Sequence, residues 1–190
     1  MPKLWNDTIE AHRSDVREAI LDTVSKLVGK GGLRSLTMLH LAGETGIGRA
    51  TLYKYFPNVE AALRAWHARQ IDDHLDELAA IRNRTDDIVE RLHTVLETFA
   101  RIAHESGRHD AALSALLHRD PAVTRAQDRL REIVRDLIAR GAKAKRFRRD
   151  VAPDELARYC LHALAAASEL SSKVAVRRLV DVTLSALRAA

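Results

Sequence analysis

Apolar side chains along the chain recur three and four positions apart, without alternation. That is the spacing of helices that turn one face inward. Ile20, Leu21, Val24, Leu27 and Val28 share such a face after Asp15-Val16-Arg17-Glu18, which has the form of a capping box, and Gly29 to Gly32 ends the run. Leu36-Thr37 opens a short helix that reaches Glu44. After Asn58 a long helix carries Leu63, Trp66, Ile71, Leu75 and Leu78. Next come a helix with Ile88, Leu92, Val95, Leu96, Phe99 and Ile102, and a short unit of Leu113, Leu116 and Leu117. Asp120-Pro121, a cap followed by a first-turn proline, opens the helix of Leu130, Ile133, Val134, Leu137 and Ile138. Two more span about Pro153 to Glu169 and about Ser172 to Arg188. No pair of alternating runs is joined by a hairpin dipeptide such as Asn-Gly. The pattern predicts an all-α protein of about nine helices: a three-helix head over residues 1–57, running into a larger helical body over 58–190.

Glycine divides these regions. Six of the eight glycines precede residue 49, and the other two, Gly107 and Gly141, fall where helical patterns end. The densest punctuation is Thr45-Gly46-Ile47-Gly48, between the short helix ending near Glu44 and a second running from Arg49 to Tyr55. Gly46 supplies a left-handed residue for the reversal, Ile47 plugs the angle and Gly48 caps the second helix. On that helix Leu52, with Phe56 just after it, suits the core, so Arg49, Thr51, Tyr53, Lys54 and Tyr55 emerge on the surface. This is a helix-turn-helix pattern, in which the second helix can enter the major groove of DNA. Plain helical hairpins share the turn; the exposed Arg, Lys and Tyr are what favour a nucleic acid.

Composition narrows the classes. Hydrophobic residues make up 46%, enough to bury a core, and the net charge of +5 is a mild basic excess compatible with an anionic partner. The single cysteine, Cys160, cannot form an intramolecular disulfide, which reads as a reduced, cytoplasmic protein. Neither a signal peptide nor an apolar run long enough to span a bilayer is expected. No HExxH, CxxC, nucleophile–base pair, paired-carboxylate motif or glycine-rich phosphate loop occurs. The nine histidines, with His104 and His109 five apart and His118 following, read as surface or cap residues and not as metal ligands. The expectation is a non-enzyme with no cofactor and no metal. An all-helical enzyme and a helical protein-binding adaptor are the competing classes.

The stretch from about Val16 to Ala65, in particular LTMLHLAGETGIGRATLYKYFPNVEAAL, resembles the DNA-binding head of the tetracycline-repressor (TetR) family of transcriptional regulators. The matching parts are Leu36-Thr37, Leu41-Ala42, Gly46-Ile47, Thr51-Leu52-Tyr53, Tyr55-Phe56 and Glu60-Ala61-Ala62-Leu63. The long-helix remainder is similar in layout to the family's regulatory domain, and Arg146 to Pro153 resembles a loop the family often has there. The resemblance implies a DNA-contacting set of Thr37, Arg49, Ala50, Thr51, Tyr53, Lys54 and Tyr55. Arg49 and Lys54 would face base edges, where Arg can pair bidentately with guanine. Thr51, Tyr53 and Tyr55 would bond phosphates, and Thr37 would add one at the preceding helix N-terminus. Three positions depart from the pattern: Val59 stands where many members have Lys, Leu39 where some have Arg, and Gly48 replaces a Ser or Thr cap. Residues 1–66 carry a net charge of only +2, so modest affinity with a shallow salt dependence is expected. Lys3 and Arg13 belong to a tail or to a minor-groove arm.

By the same resemblance the partners are a palindromic double-stranded operator, a second copy of the chain and a small-molecule effector. The dimer face would be the last two helices. His162 to Ser168 is rich in small residues, and Val176, Leu179, Val180, Val182, Leu184 and Leu187 make the final helix apolar on more than one side. Trp66, Leu92, Leu96, Phe99, Leu113, Leu117, Leu130 and Val134 are candidates for the wall of a ligand site, with His67, His93, Thr94 and Gln127 as polar groups that would orient the ligand. The same apolar residues also suit an ordinary core. The basic run Lys143 to Arg149 reads as solvated surface.

Overall fold

The computed structural model describes residues 2–32, 35–83, 87–107 and 121–188, with side chains from Glu10 onward. Among them are eight α-helices: α1 (Pro2–Gly31), α2 (Met38–Thr45), α3 (Arg49–Tyr55), α4 (Val59–Arg82), α5 (Ile88–Ser106), α6 (Pro121–Lys143), α7 (Pro153–Ala165) and α8 (Lys173–Ser185). A 3-10 turn, Ala166–Glu169, follows α7. No strand occurs among the described residues; one isolated bridge pairs Phe147 with Arg188. The expected helix of Leu113, Leu116 and Leu117 lies outside the described residues.

The chain forms two compact units, residues 2–70 and residues 71–107 with 121–188, and α4 begins in the first and continues into the second. The first is built on Ile20, Leu21 and Val24 of α1, Leu41 of α2, Leu52 of α3, Phe56, and Ala62, Leu63 and Trp66 of α4. Arg69 of α4 fastens α1 from outside this core, 2.7 Å from Glu18 and 2.9 Å from Asp22. The guanidinium of Arg17 lies 5.6 Å from the centroid of the Phe56 ring.

In the second unit α5 packs on α6, α7 and α8, and α7 on α6 and α8. Leu130, Ile133, Val134, Leu137 and Ile138 of α6 follow the i, i+3, i+4, i+7, i+8 rule and are all buried, against Leu92, Val95 and Leu96 of α5. Complete burial of each such side chain contributes about 1.5–3 kcal/mol. The helix starts are capped as their sequences suggest. Asp87 accepts from the Val89 amide (2.7 Å), Ser172 accepts from the Ala175 amide (3.2 Å), and Glu155 accepts from the Ala152 amide (3.3 Å) ahead of Pro153.

Two expectations about helix ends change. α1 does not begin at the Asp15 capping box, and residues 2–13 are neither tail nor arm. With no Gly or Pro between Pro2 and Gly29, nothing in that stretch breaks a helix, and the rigid φ of Pro2 suits its first position. Gly141 is also not a terminus, because α6 runs on to Lys143. Its missing side chain admits the Phe147 ring, which a Cβ at that position would overlap.

Candidate nucleic-acid interface

The turn between α2 and α3 is fixed by local bonds. Gly46 has φ 68° and ψ 9°, the left-handed conformation expected there. Thr45 Oγ1 donates to the Leu41 carbonyl (2.6 Å) and accepts from the Ile47 amide (3.3 Å). Ile47 is half-buried against the core of the first unit. At the other end of α2, Thr37 is the N-cap and its hydroxyl accepts from the His40 amide (3.1 Å). Ser35 Oγ donates toward the Leu27 and Gly32 carbonyls (2.8 Å each), which pins the approach to α2, and His40 Nδ1 sits 2.7 Å from the Ser35 carbonyl.

With both ends of α2 tied and Leu52 fully buried, α3 has one possible orientation. Leu52 and Phe56 (4% exposed) point inward, so Arg49, Ala50, Thr51, Tyr53 and Lys54 all lie exposed. Arg49 and Tyr53 are four apart and therefore stack along one row. Tyr55 is half-buried and partly packed on the core, so it offers less of its ring than Tyr53, which is 52% exposed. Gly48 is the N-cap of α3 without a side-chain bond. Thr37 is exposed at the start of α2. The departures also acquire places: Val59 is half-buried against the core, and Leu39 is 56% exposed on α2.

The residues nominated for a ligand wall are dispersed. Trp66 belongs to the core of the first unit. Leu92, Leu96 and Val134 are completely buried in the second unit, with Leu130 7% and Phe99 partly exposed beside them. Leu113 and Leu117 lie outside the described residues. An open cleft of about 890 Å³ is lined instead by other groups of the second unit. Val89, Glu90, His93 and Thr94 come from the first turns of α5. Lys145, Arg146 and Phe147 come from the turn after α6, and Asp181, Leu184 and Arg188 from α8 and the residues following it. His93 and Thr94 had been marked as ligand-orienting groups; the charged residues around them had not. The basic run Lys143 to Arg149 thus contributes a cleft rim, with Phe147 buried beneath it and Arg148 paired to Asp150 (2.6 Å).

The last two helices carry apolar groups on two sides. Val176, Val180 and Leu187 are buried, whereas Val174 (54%) and Val182 (63%) of α8 and Tyr159 (45%) of α7 are exposed. Cys160 is buried, and burial pushes its thiol up to about 12. His104 is buried with Nδ1 3.2 Å from the Ala167 carbonyl. No group of three or more His, Cys, Asp or Glu able to hold a metal occurs among the described residues. Nor is any described helix long and apolar enough to cross a membrane.

Comparison with known proteins agrees with this geometry. Residues 20–65 match the family of bacterial regulatory proteins of the tetR type. The fold is similar to that of a transcriptional regulator of the TetR/AcrR family from Thermobifida fusca YX-ER1 (TM-score 0.76, 21% identity, 90% of this chain and 97% of that one). It is also similar to the regulator FadR of Bacillus subtilis, solved in complex with stearoyl-CoA (TM-score 0.66, 13% identity, 90% and 99%). A further relative is the nucleoid occlusion factor SlmA of Haemophilus influenzae, 26% identical over 111 residues. That match takes in 55% of this chain and about half (47%) of the length of SlmA. The chain belongs to the TetR family of transcriptional regulators, by its head and by its all-helical fold.

Proposed function

We propose that the protein is a repressor that binds a palindromic operator as a homodimer and is released by a small-molecule effector. The observation that carries the reading is the division of α3, with Leu52 and Phe56 locked inward and Arg49, Ala50, Thr51, Tyr53 and Lys54 exposed side by side. A helix held in this way can enter a major groove without rearranging. Arg49 and Lys54 read base edges; Thr51, Tyr53, the exposed part of Tyr55 and Thr37 at the head of α2 hold phosphates. Since the Thr37 hydroxyl already accepts from the His40 amide, its remaining O–H is the group available to a phosphate oxygen.

Dimerisation uses the outer face of α7 and α8. Val174 and Val182 are two turns apart on one side of α8, and Tyr159 extends the apolar surface onto α7. A second copy would cover all three. The effector acts on the second unit by favouring one of two arrangements, so that paired heads no longer match the half-site spacing. Leu92, Leu96 and Val134 are packed without exposed surface, so a ligand among them would have to open the core. The cleft rimmed by Lys145 and Arg188 needs no such opening, and it is the effector site in this reading.

The test is fluorescence anisotropy of the purified protein on DNA from upstream of its own gene. The wild type should bind. The double variant Arg49→Ala, Tyr53→Ala should lose at least about 100-fold in affinity, since each lost base or phosphate contact is worth about 1–3 kcal/mol. Its thermal unfolding should be unchanged, because both residues are exposed. Retention of binding would refute the proposed reading helix.

A further inference from the structure

The cleft of the second unit has a charge layout that specifies its ligand. Its walls are fixed by bonds that no ligand has to make. Arg148 donates its amide to the Leu187 carbonyl (2.9 Å) and its guanidinium to the Ala186 carbonyl (3.2 Å), tying the turn after α6 to the end of α8. Arg146 donates to Asp87 Oδ2 (3.1 Å) and ties the same turn to the cap of α5. Phe147, 3% exposed, lies between these ties, against Gly141.

Arg146 is thereby neutralised. Lys145 and Arg188 form no ion pair with any described residue, and neither does the Glu90 carboxylate, although all three line the same cleft. Asp181 approaches only His93, at 3.9 Å. The cleft therefore keeps unpaired cations and an unpaired carboxylate that stay clear of one another. Lys145 carries a second sign of use. Its φ of 57° makes it the one non-glycine residue with positive φ among those described. It follows α6 in the left-handed position where glycine is favoured, with the Arg146 amide bonded back to Gly141 (2.9 Å). A lysine is held where glycine would be easier, and its side chain lines the cleft.

An anion alone would find Lys145 and Arg188 but also meet Glu90 and Asp181; a cation alone would meet the reverse. We propose that the cleft binds a small zwitterion, a short apolar peptide with free termini. Its carboxylate lies on Lys145 and Arg188, its ammonium group on Glu90, and its side chains over Val89, Phe147 and Leu184. The volume of about 890 Å³ is in the range that holds ligands well above the size of one amino acid. The assignment rests on the reading of this cleft as the effector site.

The probes are trileucine, its N-acetyl form and its C-terminal amide, titrated calorimetrically into the full chain. Trileucine should bind, and each cap should weaken it about tenfold, the effect of losing one charge-assisted contact. Lys145→Gly relaxes the backbone, so loss of folding is not a concern. It should weaken trileucine and the N-acetyl form about tenfold and leave the amide unchanged. Glu90→Gln should weaken trileucine and the amide and leave the N-acetyl form unchanged. Equal binding of all three probes, binding of none, or indifference to Lys145→Gly would overturn the proposal. Operator release is read separately by anisotropy. Trileucine binding with this charge pattern and an intact operator complex upholds the zwitterion site and ends the effector reading. Release by the capped peptides with no charge preference does the opposite.

Discussion

In the first unit the helices that carry the chemistry are short: α3 has seven residues and buries one, Leu52. In the second unit α5 and α6 have 19 and 23 residues and bury six each. The contrast follows from what each unit meets. A surface that reads a rigid duplex needs exposed groups in a fixed direction, so its few buried residues serve to orient the rest. A body made of long helices gains its stability from the interior, and its exposed groups are free to vary. In the first unit one position decides whether a residue is anchor or reader; in the second, function sits where the packing stops.

Substitutions at adjacent positions break this comparison most sharply. Leu52→Ala should cost about 2–5 kcal/mol of stability, the range for emptying a fully buried leucine site, and operator binding should fall with it in chemical denaturation and anisotropy. Tyr53→Ala, next along the chain and exposed, should change stability by less than about 0.5 kcal/mol and still weaken operator binding. Equal effects of the two on stability would erase the distinction between anchor and reader. In the second unit, Gly141→Ala forces a methyl group into the Phe147 ring and should cost about 1–3 kcal/mol by overpacking, read as a lowered unfolding midpoint. Unaltered stability would show that the turn after α6 is looser than its contacts imply.

Two smaller effects sharpen the account of the first unit. Arg69→Gln removes the link from α4 to Glu18 and Asp22 and should cost about 1 kcal/mol, less at high salt, because both carboxylates are partly solvated. Gly48→Ser fits the N-cap of α3, where a Cβ meets nothing within 4 Å, and should raise stability by a few tenths of a kcal/mol. Differential denaturation curves at two ionic strengths check both.

The same contrast explains what could be read from the residues alone. The α2–α3 turn was legible because its determinants are local: the left-handed Gly46, the inward Leu52 and Phe56 four apart, and the polar groups forced outward between them. The course of α1 was misread because a capping box inside a helix has the same letters as one at its start, and only the absence of a breaker back to Pro2 tells them apart. Leu92 and Leu96 could equally be core or ligand wall by spacing, and packing alone decides that they are core. The cleft had no local signal at all. Glu90, Lys145 and Arg188 come from three separate segments, and the basic run holding Lys145 looked like ordinary solvated surface.

The central claim is that α3 reads a two-fold symmetric duplex, and selection of bound molecules from random double-stranded DNA tests it most directly. The account predicts an enriched palindrome with two half-sites, whose guanine preferences fade for an Arg49→Ala, Lys54→Ala variant that folds normally. No enrichment by the wild type, or the same palindrome enriched by the variant, would contradict it.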